Sequence, residues 1–353
     1  MRWVNKPVLL VGGGCAGYDL ANLYTLGLPI LTSWQAKDLI DNWHPLYYGS
    51  PGIYGQRAAN RVLYEADQII ALGCRLSPWL IGHGGLRAEQ ALVMCDCDGQ
   101  EVAAHPGADW VRSDLGAFIA ALKPGPCAHW APGDPGTLLE ACHADTRGYI
   151  NSYQFWARMQ AHLRADEVIC VDAGCVECPV YQVLRVAPPQ RLMTSGGLGE
   201  MGCALPAAIG ASFARGKAEV LAVVGDGAAM LNLQEMATIT HHRLPVKVLV
   251  FANDGYAMIR GTYNNLGIAY AGVDRASGIT LPDMRKIAHA WGWHAGEIRT
   301  WADFDRAIPQ LLGASGPALV VVHIDPEQAY LPRVQPQLVD GRMVPGRFDR
   351  MAP

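Results

Sequence analysis

The sequence lacks any apolar run long enough to cross a membrane, and it has no excess of basic residues. Its first apolar stretch, residues 8–11, stops at three glycines, and no later stretch approaches the roughly 18 uninterrupted apolar residues of a spanning helix. Charged residues make up only 17% of the chain, with a formal net charge of −4, so no basic surface for nucleic acid is indicated. We expect a soluble cytoplasmic protein without nucleic-acid or membrane partners.

The cysteine pattern provides neither a disulfide framework nor a zinc site. The 10 cysteines are scattered and often lie in apolar runs, which is typical of reduced core thiols. Two close pairs, Cys95 with Cys97 and Cys175 with Cys178, lack the second pair or the spaced histidines of a zinc centre. We therefore expect no metal or redox function at either pair.

The composition and the order of elements predict two globular domains. With 353 residues and a hydrophobic fraction of 50%, the chain can form two cores. Short apolar runs alternate with helical patterns, which predicts parallel sheets, and proline and glycine concentrate between them in residues 123–136, as in a linker. We predict an α/β protein of two doubly wound parallel-sheet domains, with a middle domain over residues 1–122, a linker over 123–148, and a second domain with a C-terminal tail over 149–353.

Polar residues follow two predicted strands of the second domain. The sequence there reads Gly225-Asp226-Gly227 and Asn253-Asp254-Gly255. Open α/β sheets bind ligands at the carboxyl ends of such strands. Carboxylate and amide oxygens suit Mg²⁺, and glycine lets backbone N–H groups approach phosphate oxygens. A helix predicted over residues 230–241 would point its N-terminus at the phosphates.

These residues resemble the thiamine-diphosphate motif of the acetolactate synthase and 2-oxo acid decarboxylase superfamily. Asn253 follows Asp226 by 27 residues, a spacing that fits the motif. The resemblance implies that Mg²⁺ is bound by the Asp226 carboxylate, the Asn253 side chain and the Gly255 carbonyl. Ala252 stands where the family usually has the first of two asparagines, but the metal-binding second asparagine is kept.

Two more segments resemble cofactor contacts of this family. In residues 194–202, Met201 would support the bent cofactor and the Gly199 carbonyl would accept its 4′-amino group, so these two are the expected catalytic positions. Gly174 and Cys175, after the predicted strand Val168–Val171, resemble the turn that offers N–H groups to the diphosphate. The expected cofactor-binding set is Gly174, Cys175, Gly199, Met201, Gly225, Asp226, Gly227, Ala228, Asn253, Gly255, Tyr256 and Met258.

The first domain contains a second glycine-rich motif. Residues 12–17 fit GxGxxG directly after a predicted strand, but Ser33 and Trp34 occupy the place of the acidic residue that a dinucleotide fold needs. Residues 44–75 instead resemble the middle domain of the same superfamily, which holds FAD in some members. Arg75 matches an arginine that contacts FAD, whereas residues 76–79 lack the charged residues that usually follow it. FAD is possible here and is not favoured.

The resemblance covers nearly the whole chain but begins where the middle domain of the family begins. The glutamate that activates the cofactor belongs to a pyrimidine-binding domain, which we expect on a separate subunit. Glu200, beside Met201, lies on the diphosphate side and is not assigned this role. The family's paired active sites imply a heterotetramer of two such chains with two pyrimidine-domain chains.

The resemblance implies decarboxylation of a small 2-oxo acid, followed by release of an aldehyde or addition to a second carbonyl compound. Thr262 stands where synthases of branched-chain amino acids have tryptophan, which argues against that pathway. Arg260 could bind a substrate carboxylate or serve the structure. Two alternatives remain open: a non-catalytic binding or regulatory protein that keeps the cofactor fold, and a dinucleotide-binding protein that uses residues 12–17.

Overall fold

The computed structural model describes residues 5–125, 139–335, 337–339, 342–348 and 350–351. The chain divides into two compact units. The first comprises Met1–Leu138, Arg185–Pro188 and Leu331–Pro353, and the second comprises Leu139–Leu184 and Pro189–Tyr330. Residues 126–138 of the expected linker lie outside the described part of the chain.

The first unit is built on a parallel sheet with helices on both faces. Its strands are β1 (Pro7–Val11), β2 (Ile30–Thr32), β3 (Tyr47–Gly49), β4 (Gln68–Leu72), β5 (Ala91–Cys95) and β6 (Asp109–Trp110), and its helices are α1 (Ala21–Thr25), α2 (Arg57–Glu65), α3 (Pro78–Ile81), α4 (Gly99–Ala103) and α5 (Leu115–Ala121). The strand order is β3-β2-β1-β4-β5-β6. Leu9 and Val11 pack with α1 and α5, while Val8 and Leu10 pack with α2, α3 and α4. Both faces of β1 are therefore buried, as its continuous apolar sequence predicts.

The second unit repeats this plan. Its strands are β7 (Val168–Val171), β8 (Arg191–Met193), β9 (Val220–Gly225), β10 (Val246–Ala252), β11 (His294–Ile298) and β12 (Ala318–His323), and its helices are α6 (Ser152–Met159), α7 (Glu177–Val183), α8 (Ala204–Ala214), α9 (Asp226–Ala229), α10 (Glu235–His242), α11 (Ala257–Leu266), α12 (Met284–Ala290) and α13 (Trp301–Leu312). The order β11-β12-β10-β9-β7-β8 is parallel throughout. Helices α8, α10 and α12 cover one face, and Phe155 of α6 packs against Phe251 and Phe304 on the other. The prediction of two doubly wound parallel-sheet domains is confirmed.

The prediction of one helix over residues 230–241 is wrong at its start. The structure has the four-residue helix α9 at Asp226–Ala229 and then α10 from Glu235. Asn232 lies between them, and its side-chain amide donates to the carbonyl of Gly202 at 2.8 Å. This tertiary bond holds the intervening segment out of the helix. The helix that begins directly after β9 is therefore the short helix α9, and the longer helix α10 begins five residues later than predicted.

The C-terminal tail packs on the first unit rather than on the second, which differs from the division expected from sequence. The backbone N–H of Val334 donates to the carbonyl of Ile53 at 2.7 Å. Phe348 packs over Gly82, where a Cβ would meet its ring at 2.4 Å. A short hairpin, β13 (Gln337–Val339) with β14 (Arg342–Val344), lies in this tail. Among the described residues no helix is long and apolar enough to cross a membrane.

Candidate functional site

The candidate site lies where the strand order of the second sheet reverses. Strand β7 pairs with β8 on one side and with β9 on the other, so the connections leave this point in opposite directions. Such a switch point opens a crevice outside the carboxyl ends of the strands, where α/β proteins bind ligands. Asp172 follows β7, Asp226 follows β9 and Asn253 follows β10. The three predicted junctions therefore meet at one edge of the sheet.

Asp226 is a buried carboxylate that accepts hydrogen bonds from backbone N–H groups. It is 7% exposed. Its Oδ1 accepts from the N–H of Gly227 at 2.8 Å, and its Oδ2 accepts from the N–H groups of Asn253 at 3.1 Å and Gly255 at 3.3 Å. Burial raises the pKa of Asp226 to about 6, against the opposing effect of these bonds. No cationic side chain in the described ranges forms an ion pair with it, so its charge is left for a ligand to balance.

Asn253 supplies a buried oxygen with no partner. Its side-chain Oδ1 is shielded from solvent and accepts no hydrogen bond within the described structure. Leaving such an oxygen unsatisfied costs about 1–3 kcal/mol, so native proteins keep one where something else binds it. With the neighbouring Asp226 carboxylate, this oxygen suits a hard divalent cation. The residues therefore fit the Mg²⁺ that the motif implies.

The turn after Asn253 needs a glycine. Gly255 has a φ of +128°, and a Cβ there would lie 2.0 Å from the carbonyl oxygen of Val273. The same carbonyl accepts from the N–H of Tyr256 at 2.9 Å. Only glycine allows this close approach, so the residue expected to offer a carbonyl ligand is fixed by backbone packing.

Arg260 braces this turn from within the protein. Its guanidinium donates to the carbonyls of Asn253 at 2.6 Å, Asp254 at 2.9 Å and Pro326 at 3.0 Å. The side chain is buried. Of the two roles left open from sequence, these contacts favour the structural one, because both Nη atoms donate to backbone carbonyls, although Nε has no hydrogen-bond partner in the described structure.

The turn after β7 is tied to the loop that carries Gly199 and Met201. Asp172 accepts from the N–H groups of Ala173 at 3.0 Å, Gly202 at 2.8 Å and Ala204 at 3.0 Å. Burial raises its pKa, while these three bonds lower it. One carboxylate thus holds the turn after β7 against the loop that precedes α8.

Gly199 and Met201 lie in an exposed loop that precedes α8. The loop contains the single 3-10 turn Gly196–Leu198, and Gly199 is left-handed with a φ of 65°. Met201 is 42% exposed, so its side chain is available to a ligand. Although it is apolar, this side chain is not buried in the core of the second unit.

Four of the expected cofactor-binding residues lie close together as two pairs. A Cβ on Gly174, whose φ is +96°, would lie 3.9 Å from Cγ of Met258, and a Cβ on Gly227 would lie 2.5 Å from Cε1 of Tyr256. Gly227 therefore leaves room for the tyrosine ring, a reason that the sequence did not suggest. Cys175 and Ala228 are buried beside these pairs, and Gly225 is half-buried.

Sequence reasoning missed Tyr330 and Glu177. Burial raises the pKa of the Tyr330 hydroxyl well above its usual value, and the side chains of Cys175 and Asn253 also act on it, while Oδ1 of Asn253 stays without a hydrogen bond in the described structure. Glu177 bonds Thr194 at 2.5 Å. Neither residue belongs to a motif, and the only available signal for Tyr330 is that it follows β12, which ends at the same edge of the sheet. Among the described residues no cluster of three or more His, Cys, Asp or Glu is suited to a metal.

The corresponding edge of the first sheet is a poor fit for a dinucleotide. It holds a cavity of about 700 Å³ lined by Arg75 and by four carboxylates, Asp96, Asp98, Glu101 and Asp114. These charges would repel a diphosphate, and Arg75 already lies 3.8 Å from Glu101. A Cβ on Gly12 would lie 2.1 Å from the carbonyl oxygen of Gly73, so this glycine serves backbone packing. The lining of this cavity therefore does not favour the diphosphate of FAD or NAD.

Both units match models of one protein family. The C-terminal TPP binding domain of thiamine pyrophosphate enzymes matches residues 172–322, and the central domain of thiamine pyrophosphate enzymes matches residues 3–122. The first of these ranges contains every residue of the candidate site except Tyr330. The match therefore covers the crevice described above.

The chain is similar to acetolactate synthase large subunits that are longer than it. Acetolactate synthase isozyme 1 large subunit of Escherichia coli K12 is 30% identical over 358 residues, which cover 96% of this chain and 62% of that protein. Probable acetolactate synthase large subunit of Methanocaldococcus jannaschii is 30% identical over 364 residues, covering 94% and 59%. The chain thus spans about three fifths of the length of these relatives.

Solved structures share the fold. The thiamine diphosphate-dependent 4-hydroxybenzoylformate decarboxylase of Rhodococcus jostii RHA1 superposes with a TM-score of 0.77 at 21% identity, covering 92% of this chain and 62% of that one. Benzoylformate decarboxylase from Polynucleobacter necessarius gives 0.76 at 19% identity, covering 93% and 63%. Both units therefore have the architecture of domains found in these decarboxylases.

Proposed function

Because the chain belongs to the thiamine pyrophosphate enzyme family, we propose that it forms the diphosphate and Mg²⁺ half of an active site that decarboxylates a small 2-oxo acid. We further propose that the decarboxylated fragment is joined to a carbonyl acceptor, in the manner that the names of its acetolactate synthase relatives indicate. The observation that carries the proposal is the buried, unpartnered Oδ1 of Asn253 beside the unbalanced Asp226 carboxylate.

In this proposal, Mg²⁺ is held by the Asp226 carboxylate, Oδ1 of Asn253 and the carbonyl of Gly255. Arg260 keeps the carbonyls of Asn253 and Asp254 in place and so fixes the turn before the metal arrives. A preorganised set of this kind loses little entropy on binding, which favours affinity. The metal would then offset part of the negative charge of Asp226 and the diphosphate, and a net negative charge would remain.

The diphosphate would contact the backbone of Gly174, Cys175, Gly225, Gly227 and Ala228, with Tyr256 and Met258 beside it. The rest of the cofactor would extend toward Gly199 and Met201. Thiamine diphosphate, when bound, supplies the nucleophilic carbon and the electron sink for decarboxylation. The chain's own contribution is to fix its orientation: Asp172 holds the turn at Ala173 and the loop at Gly202 and Ala204 together.

We propose that the carboxylate that activates the aminopyrimidine comes from a partner subunit that carries a pyrimidine-binding domain. The buried carboxylates at this edge, Asp172, Glu177 and Asp226, are already engaged with backbone or hydroxyl groups. The elements around the crevice also expose large apolar side chains, at Leu198, Met201, Met230, Leu231, Ile259 and Leu266. We propose that these side chains contribute to the interface with the partner, since exposed apolar surface often marks a protein interaction site; two chains with two partners would form the proposed heterotetramer.

Native mass spectrometry of the protein purified from its own host, in Mg²⁺ and thiamine diphosphate, tests this function. We expect a complex that contains the cofactor and a second chain, and turnover of a 2-oxo acid by that complex. Binding of the cofactor without a second chain would contradict the proposed partner subunit. It would leave the proposed diphosphate and Mg²⁺ half-site standing. A chain that carries no cofactor would contradict the proposed function itself.

A further inference from the structure

Glu177 joins the two segments that are proposed to hold the cofactor. It is the first residue of α7 and is 7% exposed. Its Oε1 accepts from the Thr194 hydroxyl at 2.5 Å, and its own backbone N–H donates to the carbonyl of Gly174 at 3.1 Å. Gly174 belongs to the proposed diphosphate turn, while Thr194 begins the loop that leads to Gly199 and Met201. Glu177 is therefore bonded to both segments that we assign to the cofactor.

The charges around Glu177 are negative. Burial is the main cause that raises the pKa of Glu177, the Thr194 hydrogen bond lowers it, and the negative charges of Asp172 and Glu200 raise it further, so that the pKa is about 7. No lysine, arginine or histidine of the described residues forms an ion pair with this carboxyl. The nearby thiol of Cys203, which precedes α8, also faces Asp172 and Glu200, and its pKa is raised.

Groups on the adjoining helix α6 do not compensate this charge. Helix α6 packs against α7, but its Tyr153 hydroxyl donates to Gln182 at 2.7 Å. Arg158, also on α6, lies over the ring of Trp301 with its guanidinium carbon 3.9 Å from the ring centre. A diphosphate brought to Gly174 would therefore add negative charge to an already negative environment.

Resting on the function proposed above, we propose that binding of thiamine diphosphate takes up one proton at Glu177, so that a neutral carboxyl links the diphosphate turn to the Thr194 loop. The proton comes from solvent and joins the Glu177 carboxylate, and no other bond forms or breaks. Glu177 is in this sense a positioning residue. It acts on the cofactor through Gly174 and Thr194.

The direction of the pH effect follows from charge. A nearby anion favours the protonated carboxyl, so the pKa of Glu177 is higher in the complex than in the free protein. Below the free value of about 7, both forms are protonated and this residue adds no pH dependence. As the pH rises above that value, the free protein loses the proton first, and affinity falls by up to about tenfold per pH unit.

Calorimetric titration of the full chain, with any co-purifying partner, tests this coupling. Thiamine diphosphate is titrated in excess Mg²⁺ in two buffers of different ionisation enthalpy, which reports the number of protons taken up. We expect uptake at Glu177 to rise toward one proton as the pH increases from about 6 to about 8. In Glu177→Gln, an isosteric side chain that does not ionise, the excess loss of affinity over this range should disappear.

The ratio of wild-type to variant affinity isolates Glu177, because ionisation of the diphosphate and of Asp226 is common to both proteins. Thr194→Val is the matched control: it removes the hydroxyl at the other end of the bond and keeps the carboxyl, so pH-dependent proton uptake should persist. If Glu177→Gln does not fold, Thr194→Val decides: the Thr194 hydrogen bond lowers the pKa of Glu177, so proton uptake should move to higher pH in this variant, and an unshifted uptake would overturn the inference.

Equal pH slopes in wild type and Glu177→Gln, or wild-type binding without pH-dependent proton uptake, would overturn this inference and leave the proposed function standing. Absence of thiamine diphosphate binding at every pH in both proteins would overturn the proposed function, and the inference with it.

Discussion

The backbone N–H of Asn253 donates to Oδ2 of Asp226 across 3.1 Å, while the side-chain Oδ1 of Asn253 has no partner in the described structure. The carboxylate thus positions the backbone of the residue whose side chain is left available. Because Asp226 follows β9 and Asn253 follows β10, this bond links the carboxyl ends of two neighbouring strands. A cation bound by both side chains would join a preformed pair.

Asn253→Ala should weaken Mg²⁺-dependent binding of thiamine diphosphate by roughly 10–100-fold, the range found when a supporting metal contact is lost. The free energy of unfolding of the cofactor-free protein should change little, because the deleted oxygen has no hydrogen-bond partner in the described structure. Titration calorimetry with thiamine diphosphate in Mg²⁺ measures the affinity. Asn264→Ala, which removes an exposed amide bonded to Tyr270, is the control, and an equal loss in both variants would contradict the metal role.

Gly227→Ala should destabilise the second unit by about 1–3 kcal/mol, since added atoms in a packed site force displacement. The new Cβ would lie 2.5 Å from Cε1 of Tyr256. Gly261→Ala, on α11 with no atom within 4 Å of its Cβ, should instead stabilise by about 0.5–1 kcal/mol through helix propensity. Urea denaturation of the two variants measures the difference, and changes of the same sign would refute the packing account.

Asp172→Ala should lower the free energy of unfolding by about 2–4 kcal/mol, because the buried N–H groups of Gly202 and Ala204, together with that of Ala173, lose their acceptor. The loop that carries Met201 should also become more accessible to protease. Asp166→Ala removes an exposed carboxylate paired with Arg215 at 2.8 Å, and it should cost less than about 1 kcal/mol. Denaturation and limited proteolysis check both effects. An undisturbed loop in Asp172→Ala would argue against its anchoring role.

Arg260→Met should lower the stability of the second unit by about 2–4 kcal/mol, because it leaves the buried carbonyls that its guanidinium satisfies without a donor. Metal-dependent cofactor affinity should fall with it, since two of those carbonyls belong to the metal turn. Arg275→Met, at an exposed position, should change stability by no more than about 0.5 kcal/mol. Unfolding and cofactor titration measure these effects. A variant that keeps both its stability and its cofactor affinity would return Arg260 to the role of a substrate-binding residue.

Local sequence predicted the strands and the junctions well, and the structure shows why. Strands Pro7–Val11 and Val168–Val171 are apolar runs that end at turn residues. Both faces of each strand are buried, so the continuous apolar sequence predicts a strand without ambiguity. Asp226 and Asn253 were found because the ends of parallel strands meet at one edge. These predictions depend only on the order of elements, which the chain encodes locally.

The remaining features depend on contacts between distant segments. The start of α10 was misplaced because the side chain of Asn232 bonds Gly202, 30 residues away. Gly12 had the spacing of a phosphate-binding glycine, yet its lack of a side chain makes room for Gly73. Tyr330 and Glu177 carry no motif, and only the folded chain brings them to the crevice.

The most direct measurement is an anomalous difference map from crystals of the protein, with any co-purifying partner, grown in thiamine diphosphate and Mn²⁺ as a substitute for Mg²⁺. The account predicts one metal peak bonded by the Asp226 carboxylate, Oδ1 of Asn253 and the carbonyl of Gly255, with the diphosphate beside Gly174. Cofactor or metal bound elsewhere, or a crevice without a metal peak under these conditions, would contradict it.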